Sequence, residues 1–501
     1  MQQFDVVIVG AGISGVCAAY HLSDNCPGKS YTILESRDAM GGTWDLFRYP
    51  GIRSDSDMHT LGFNFKPWKE AKAIADGPAI RKYVNETAQE FDIAQHIRFN
   101  HKMLRADWSS DDAAWTVVAE QNGEEQRFTC NFLMMCSGYY NYAEGYTPEI
   151  TGLDTFSGTV IHPQHWPEDL DYAGKRVAVI GSGATAMTLV PSMADTAAKV
   201  TMIQRSPTYV VSRPDQDKIA NWLRSWLPEK WAYAITRFKN VQLQNYMYQR
   251  TRTRPEKVKA LLLKMVREAL PAGYDVDKHF TPTYNPWDQR LCLIPNADLF
   301  KSIRDGGTEV VTGDIDTVTP GGVRMQDGTE VEADILITAT GLNLQLLGGA
   351  EFTVDGEPVD FPSTFSYKGM MYSDVPNLVQ TFGYINASWT LRADLTSEYA
   401  ARVINHMDAL GVKQVTPRLR EEDRDMQAGP WIQDFSAGYM QRVMHLFPKQ
   451  GDKDPWRNTQ NYALDKKLVH KAPLEDGALV FGESAAVVEL PGTGRDAQQA
   501  A

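Results

Sequence analysis

Phe4-Asp5-Val6-Val7-Ile8-Val9-Gly10-Ala11-Gly12-Ile13-Ser14-Gly15 decides the fold. Phe4 to Val9 is a short apolar run rich in β-branched residues, the pattern of a parallel strand buried on both faces. The glycine turn follows at once, and Val16 to Leu22 continues with helical spacing. A second apolar run, Tyr31 to Leu34, ends in Glu35, twenty residues beyond Gly15. Strand, G-x-G-x-x-G turn, helix and distal acid together form a dinucleotide-binding unit. Gly10 makes the tight turn, Gly12 admits a pyrophosphate to the backbone, and Gly15 lets helix pack on strand, with Ser14 in the same loop. The helix N-terminus offers partial positive charge to the phosphates, and Glu35 offers a carboxylate to ribose hydroxyls.

A second unit lies mid-chain. Lys175 to Ile180 reads as a buried strand, followed by Gly181-Ser182-Gly183-Ala184-Thr185-Ala186 with a small residue in the third glycine position. The next strand, Val200 to Ile203, runs into Gln204-Arg205-Ser206, so Arg205 stands nineteen residues after Ala186. A carboxylate there would repel a ribose 2′-phosphate, whereas an arginine pairs with it through a fork of donors. The first site therefore suits FAD and the second NADPH, an arrangement for passing a hydride from nicotinamide to flavin. Gly41-Gly42-Thr43-Trp44 adds a further glycine turn beside the first unit. No cysteine lies between Cys26 and Cys130, which excludes a dithiol relay next to the flavin.

The chain has 501 residues, enough for about two to four domains. Its formal net charge of −13 provides no global field for nucleic acid, which is excluded as a partner. Five cysteines, none in C-x-x-C spacing, argue against a disulfide framework or structural zinc. The N-terminus lacks a basic leader, and no stretch offers the roughly 20 apolar residues of a spanning helix. A cytoplasmic location follows as the expectation. His162 and His165 have H-x-x-H spacing but no third ligand nearby in sequence, so no metal is expected.

Between the two units, Phe156-Ser157-Gly158-Thr159-Val160-Ile161-His162-Pro163-Gln164-His165-Trp166-Pro167 fits F-x-G-x-x-x-H-x-x-x-W-P at every fixed position. With Gly41-Gly42-x-Trp44, Tyr49-Pro50-Gly51 and Asp55, the chain resembles the type I Baeyer–Villiger monooxygenases over almost its whole length. Ser137 to Tyr142 and Asn285 to Arg290 bring it nearest to the mycobacterial branch that oxidises thioamide prodrugs. The resemblance implies O2 as co-substrate, a C4a-peroxyflavin, and conversion of a small lipophilic ketone to an ester or lactone, with oxidation of sulfur in thioethers or thioamides beside it. It implies that Arg290 is the cation that stabilises the peroxide and Asp55 its carboxylate partner. Gly42, Thr43, Trp44, Arg53, Ser54 and Asp55 then belong to the cofactor surface. Phe156, Gly158, His162, Trp166 and Pro167 become a linker that responds to NADPH. Trp456, five residues before Asn461, becomes a roof over the active site near the nicotinamide. Many members place lysine before the arginine. Here Gln289 stands there, leaving more of the phosphate charge to Arg205. Two alternatives remain open: a flavin-containing N- or S-monooxygenase without ketone activity, and a redox sensor that binds both nucleotides.

The expected architecture is α/β, with two Rossmann-like dinucleotide-binding domains and a helical insert. Residues 1–140 and 339–490 form the FAD domain, 141–213 and 288–338 the NADP domain, 214–287 the insert, and 491–501 a disordered tail. From Arg237 to Arg267 the insert holds nine lysines or arginines and one acid, Glu256, preceded by Trp222, Trp226 and Trp231. Such a segment can lie on an anionic membrane. The preferred reading packs the tryptophans onto neighbouring elements and leaves the basic residues solvated.

Overall fold

The computed structural model describes residues 1–433 and 435–482; the tail expected over 491–501 lies outside them. The strand Gln2–Val9 pairs in parallel with Tyr31–Leu34 on one side and Glu124–Met135 on the other. Val6 and Ile8 enter one core with Leu22 and Phe132, while Val7 and Val9 enter another with Trp115 and Leu133. Both faces of the strand are dry, which is why its sequence is apolar without alternation. Lys102–Ser109 and Ala114–Gln121 extend the sheet as an antiparallel meander, and Glu351–Val354 and Leu378–Gln380 rejoin it from the far end of the chain.

A second sheet has the parallel order Thr308–Thr312, Lys199–Gln204, Arg176–Ile180, Ile335–Thr338, Thr159–Ile161. The fold is thus α/β, with two sheets that each begin a strand–glycine turn–helix unit. The chain leaves the first sheet through Tyr140–Gly145 and returns through Leu342–Leu344, and these two crossovers pair with each other antiparallel. Helices Lys218–Arg224, Glu229–Thr253, Pro255–Ala269 and Val276–Phe280 fill the interruption in the second unit.

This insert departs from expectation in its tryptophans. Trp222, Trp226 and Trp231 do not pack onto neighbours: they remain 60%, 58% and 67% exposed, with Trp222 and Trp226 touching edge to face at 5.2 Å. Most of the basic run is solvated as expected, with Arg252, Arg254, Lys257, Lys264 and Arg267 exposed, but part of it is paired or turned inward. Lys239, Arg252, Lys264 and Arg267 pair with Asp217, Asp288, Glu268 and Asp277. Arg237 turns inward and donates to the carbonyls of His59, Thr60 and Gly62 and to Asp394. Sequence counting missed this because the acids that neutralise the run lie outside it.

Asp394 sits on the long helix Trp389–Leu410, where it also meets Cys17 and His21 of the first helix at 3.2 Å each. These three side chains could form a metal site by proximity. The Arg237 guanidinium on the same carboxylate works against a second cation, and the cluster reads as a buried tie between insert and first domain. All five cysteines are free and buried. Burial pushes Cys130, Cys136 and Cys292 up to about 12 and Cys26 to about 11, and raises Cys17 as well. No helix of the described residues is long and apolar enough to cross a membrane.

The first glycine turn leaves no room for side chains. A Cβ on Gly15 would lie 1.8 Å from the Gly10 carbonyl oxygen, and Gly10 itself holds φ +103°. Gly15→Ala must therefore push the helix off the strand. We expect it to lower stability by about 3 kcal/mol, the upper range of overpacking costs, as read by chemical denaturation. A fully stable Gly15→Ala protein would show that helix and strand are not in the contact described.

Candidate active site

A cavity of about 420 Å³ runs along the first glycine turn. The helix Ile13–Asn25 starts there with Gly12 as its cap and no side chain on its leading N–H groups, which leaves those donors to a ligand. Glu35 is 3% exposed and lines the cavity. Its two oxygens accept the backbone N–H groups of Ala11 at 2.7 Å and Arg37 at 2.9 Å. Burial raises its pKa, and these bonds oppose the rise. Ser14 is engaged by the protein itself, accepting the Trp389 indole N–H at 2.7 Å. Gly42 lies against Gly12: a Cβ on Gly42 would come within 3.1 Å of the Gly12 Cα. The two glycine turns thus form one narrow floor. Ser137 lines this cavity, and its buried hydroxyl has no hydrogen-bond partner in the protein.

A second cavity of about 360 Å³ meets the first, since Thr43, Trp44, Leu61, Tyr140 and Trp389 line both. Arg290 and Asp55 stand in its wall with their charged ends 3.8 Å apart. Both line the cavity and remain partly accessible, 38% and 27%. Burial pushes the Asp55 carboxyl up, and the charges of Arg290 and Arg53 hold it down in part. Burial also works against the Arg290 charge, and the oxygens of Tyr439, Tyr139, Tyr140 and Asp55 outweigh it, so the guanidinium stays protonated. Arg53 lines the same cavity but is held by Asp298 at 2.5 Å, with its buried Nε left unpartnered. Ser54 is buried there and accepts the Ser56 N–H.

The second glycine turn approaches this cavity from the other sheet. Ala184 and Thr185 line it at the start of the helix Ala184–Met193, whose cap, Gly183, supplies no side chain and leaves open space where a Cβ would sit. Gly181 holds φ +138°, with Ala339 backbone where a side chain would be. Ala186 is fully buried. Ser182 donates to the Ser206 carbonyl at 3.1 Å, which binds the turn to the end of strand Lys199–Gln204. Arg205 follows that strand, exposed and without an ion pair, so its fork of donors is free.

His162 ties the linker to the crossovers. Its Nε2 lies 3.0 Å from the Gly341 carbonyl, its Nδ1 accepts the Gln164 N–H, and its ring occupies the space where Gly145 lacks a Cβ. Burial lowers its pKa. Phe156 is buried in the second domain, Gly158 abuts the Asp334 carbonyl, and Trp166 packs beside the second sheet ahead of Pro167.

Trp456 is not a roof over this site. It is fully buried, lines neither cavity, donates its indole N–H to Asp423 at 2.8 Å and packs edge-on to Tyr367. A buried indole needs an acceptor, and Asp423, already paired with Arg420, fixes it there. Asn461 serves as the N-cap of helix Tyr462–Lys471.

Residues without a motif complete the site. Trp389 faces both cavities and stacks on Tyr139, whose hydroxyl meets that of Tyr140 at 2.7 Å. Asp45, 1% exposed, gathers Arg37, Arg48 and Arg81 beneath Thr43–Trp44. Nothing in linear spacing marks Trp389 or Asp45, whereas Tyr139 and Tyr140 belong to the stretch Ser137 to Tyr142 that carries part of the resemblance.

A family model described as flavin-binding monooxygenase-like matches residues 69–412, and one for an NAD(P)-binding Rossmann-like domain matches residues 8–77. The FAD-containing monooxygenase EthA of Mycobacterium tuberculosis (strain ATCC 25618 / H37Rv) is 54% identical over 97% of this chain and 99% of its own. The putative FAD-containing monooxygenase MymA of the same organism is 47% identical over 97% of this chain and 98% of its own. A solved structure titled oxidized steroid monooxygenase bound to NADP superposes with a TM-score of 0.78, covering 96% of this chain and 100% of that one at 20% identity, a likeness of fold.

The free Arg205 gives a direct check of the second turn. Arg205→Ala should cost NADPH about tenfold to a hundredfold in KM, the loss of one charge-assisted contact, and leave NADH nearly unchanged. Equal losses with both nucleotides would reject a 2′-phosphate contact.

Proposed function

The chain belongs to the flavin-binding monooxygenase-like family, and on that premise we propose that it is an NADPH-dependent Baeyer–Villiger monooxygenase using FAD and O2. Its substrate is a small lipophilic ketone, and sulfur in thioethers or thioamides is a second target. The observation that carries this reading is the Arg290–Asp55 pair in the cavity that joins both glycine turns. The uncapped helix at Gly12 and the acceptor Glu35 suit FAD, and the helix at Gly183 with Arg205 suits NADPH. When bound, the reduced flavin would supply the electrons that activate O2, one atom of which is inserted into the substrate while the other leaves as water.

The protein's part is electrostatic and steric. Arg290 presents a permanent positive charge to oxygen atoms that turn negative as the new C–O bond forms, and the surrounding walls keep water from screening it. Asp55 aims the guanidinium without reaching hydrogen-bond distance, so the cation stays available to a ligand. A redox sensor needs no such cation, which favours catalysis over signalling.

Arg290→Ala should lose ketone oxygenation by roughly 10²–10³-fold, with FAD still bound through the first turn. Asp55→Ala should show a milder loss, and the double variant should fall short of the product of the two, because the pair acts as one unit. The measurement is ester formation from a panel of linear, cyclic and aryl ketones, alongside thioethers and thioamides, with NADPH consumption followed in parallel. Oxidation of sulfur alone would assign the chain to the N- and S-oxidising branch. Ester formation at wild-type rate by Arg290→Ala would place the cation elsewhere.

We further propose that the insert touches a lipid surface. The exposure of Trp222, Trp226 and Trp231 supports this, while the paired basic residues make the contact more apolar than electrostatic. Vesicle cosedimentation should be lost when the three tryptophans become serine and should fall only modestly between low and physiological salt. Absence of binding to anionic vesicles at low salt would reject the contact.

A further inference from the structure

A third cavity lies away from both nucleotide sites. It is a groove of about 850 Å³ between the insert helix Glu229–Thr253 and the C-terminal helix Tyr462–Lys471. Its floor is apolar and aromatic, with Phe65, Tyr233, Val241, Leu391 and Tyr462 among its lining, and Phe238, 67% exposed, at its rim. Gln244, Tyr248, Asn386 and Ala387 line both this groove and the cavity of Arg290, so the two spaces adjoin.

The groove's charges are all of one sign. No aspartate or glutamate lines it, while Lys230, Lys466, Lys467 and Lys471 do, and none of these four has an ion pair. The other basic residues on its wall are already satisfied: Arg237 by Asp394 and His470 by Glu398 at 2.7 Å. Three of the four lysines stand on one short helix, and Lys467 and Lys471 face each other there at i,i+4, where like charges repel. A long apolar floor that ends in unneutralised ammonium groups is complementary to a chain with an anionic head.

We propose that the groove is the binding site for the far end of the substrate: an aliphatic chain bearing a carboxylate, seated against Lys466, Lys467 and Lys471, with its ketone carried forward past Gln244 and Tyr248 to Arg290. This names the substrate class of the reaction proposed above, an oxo-fatty acid, and rests on that reading. The chain lies on the apolar floor, and the carboxylate fixes how deep the ketone reaches. Position of the oxo group along the chain, and not chain length alone, then selects the substrate.

The test separates binding from chemistry. Binding of dodecanoate, dodecanol and dodecyltrimethylammonium is measured on the FAD-loaded protein by equilibrium dialysis. Dodecanoate should bind tightest. Its preference over dodecanol should fall about tenfold in the triple variant Lys466→Gln/Lys467→Gln/Lys471→Gln and shrink with rising salt. Val241→Trp, which narrows the floor, should weaken all three amphiphiles and serves where the triple variant folds poorly. In turnover, dodecanoates with the ketone moved along the chain should show a sharp optimum of kcat/KM at one position, whereas the matching oxo-alcohols should not. Dodecanoate binding no tighter than the ammonium amphiphile overturns the inference. So does oxygenation of uncharged ketones with no preference for oxo-acids, which leaves the monooxygenase reading intact. Binding as expected with no ketone of any kind oxygenated overturns that reading, and the substrate class with it.

Discussion

The pairing of two crossovers governs everything else in this molecule. Tyr140–Gly145 leaves the first sheet and Leu342–Leu344 returns to it, and their antiparallel pairing ties the two nucleotide units together where the chain crosses between them. Tyr140, the first residue of that ribbon, lines both cavities, so the geometry of the ribbon is also the geometry of the seam between the two sites. His162 locks the ribbon from below through the Gly341 carbonyl and the gap left by Gly145. Residues far apart in sequence thereby serve one surface: a cation from the end of the insert, its carboxylate from near the N-terminus, and helix ends from both sheets.

Carboxylates with arginine partners hold the pieces in place. Asp45 gathers three arginines beside the Gly41-Gly42 turn, Asp394 receives Arg237 from the insert, and Asp298 holds Arg53 across the domain seam. Each pair is partly or wholly buried, and the short contacts are needed to offset desolvation. The Arg290–Asp55 pair is the looser exception, at 3.8 Å with both groups accessible to a cavity. A structural pair closes on itself, whereas this one leaves its donors facing empty space.

The local parts of this arrangement were readable in the sequence. A β-branched run before Gly10-Ala11-Gly12 and an acid at Glu35 specify a strand, a turn and an acceptor through short-range sterics, and the structure has all of them in contact. Arg205 could be read the same way, because it ends the strand next to its own turn. What failed was inference across long separations. Trp456 looked like a roof, but its indole is committed to Asp423. The tryptophans of the insert looked like packing residues and are exposed. The basic run is largely solvated as read, but acids from other segments pair with three of its members, which counting along the run does not show. Trp389 and Asp45 were invisible because aromatic and charged residues carry no periodic signal, and only the fold says which of them meet.

The buried thiols acquire a meaning once the chain is seen as an oxygen-handling protein. Peroxide is most concentrated at its source, and the form of cysteine it attacks is the thiolate. A thiol pushed up to about 12, as at Cys130, Cys136 and Cys292, is ionised at neutral pH in only about one molecule in 10⁵. Cys136 lines the first cavity itself, where any escaping oxidant would pass. The packing that makes these side chains part of the core therefore also keeps them protonated and poorly nucleophilic.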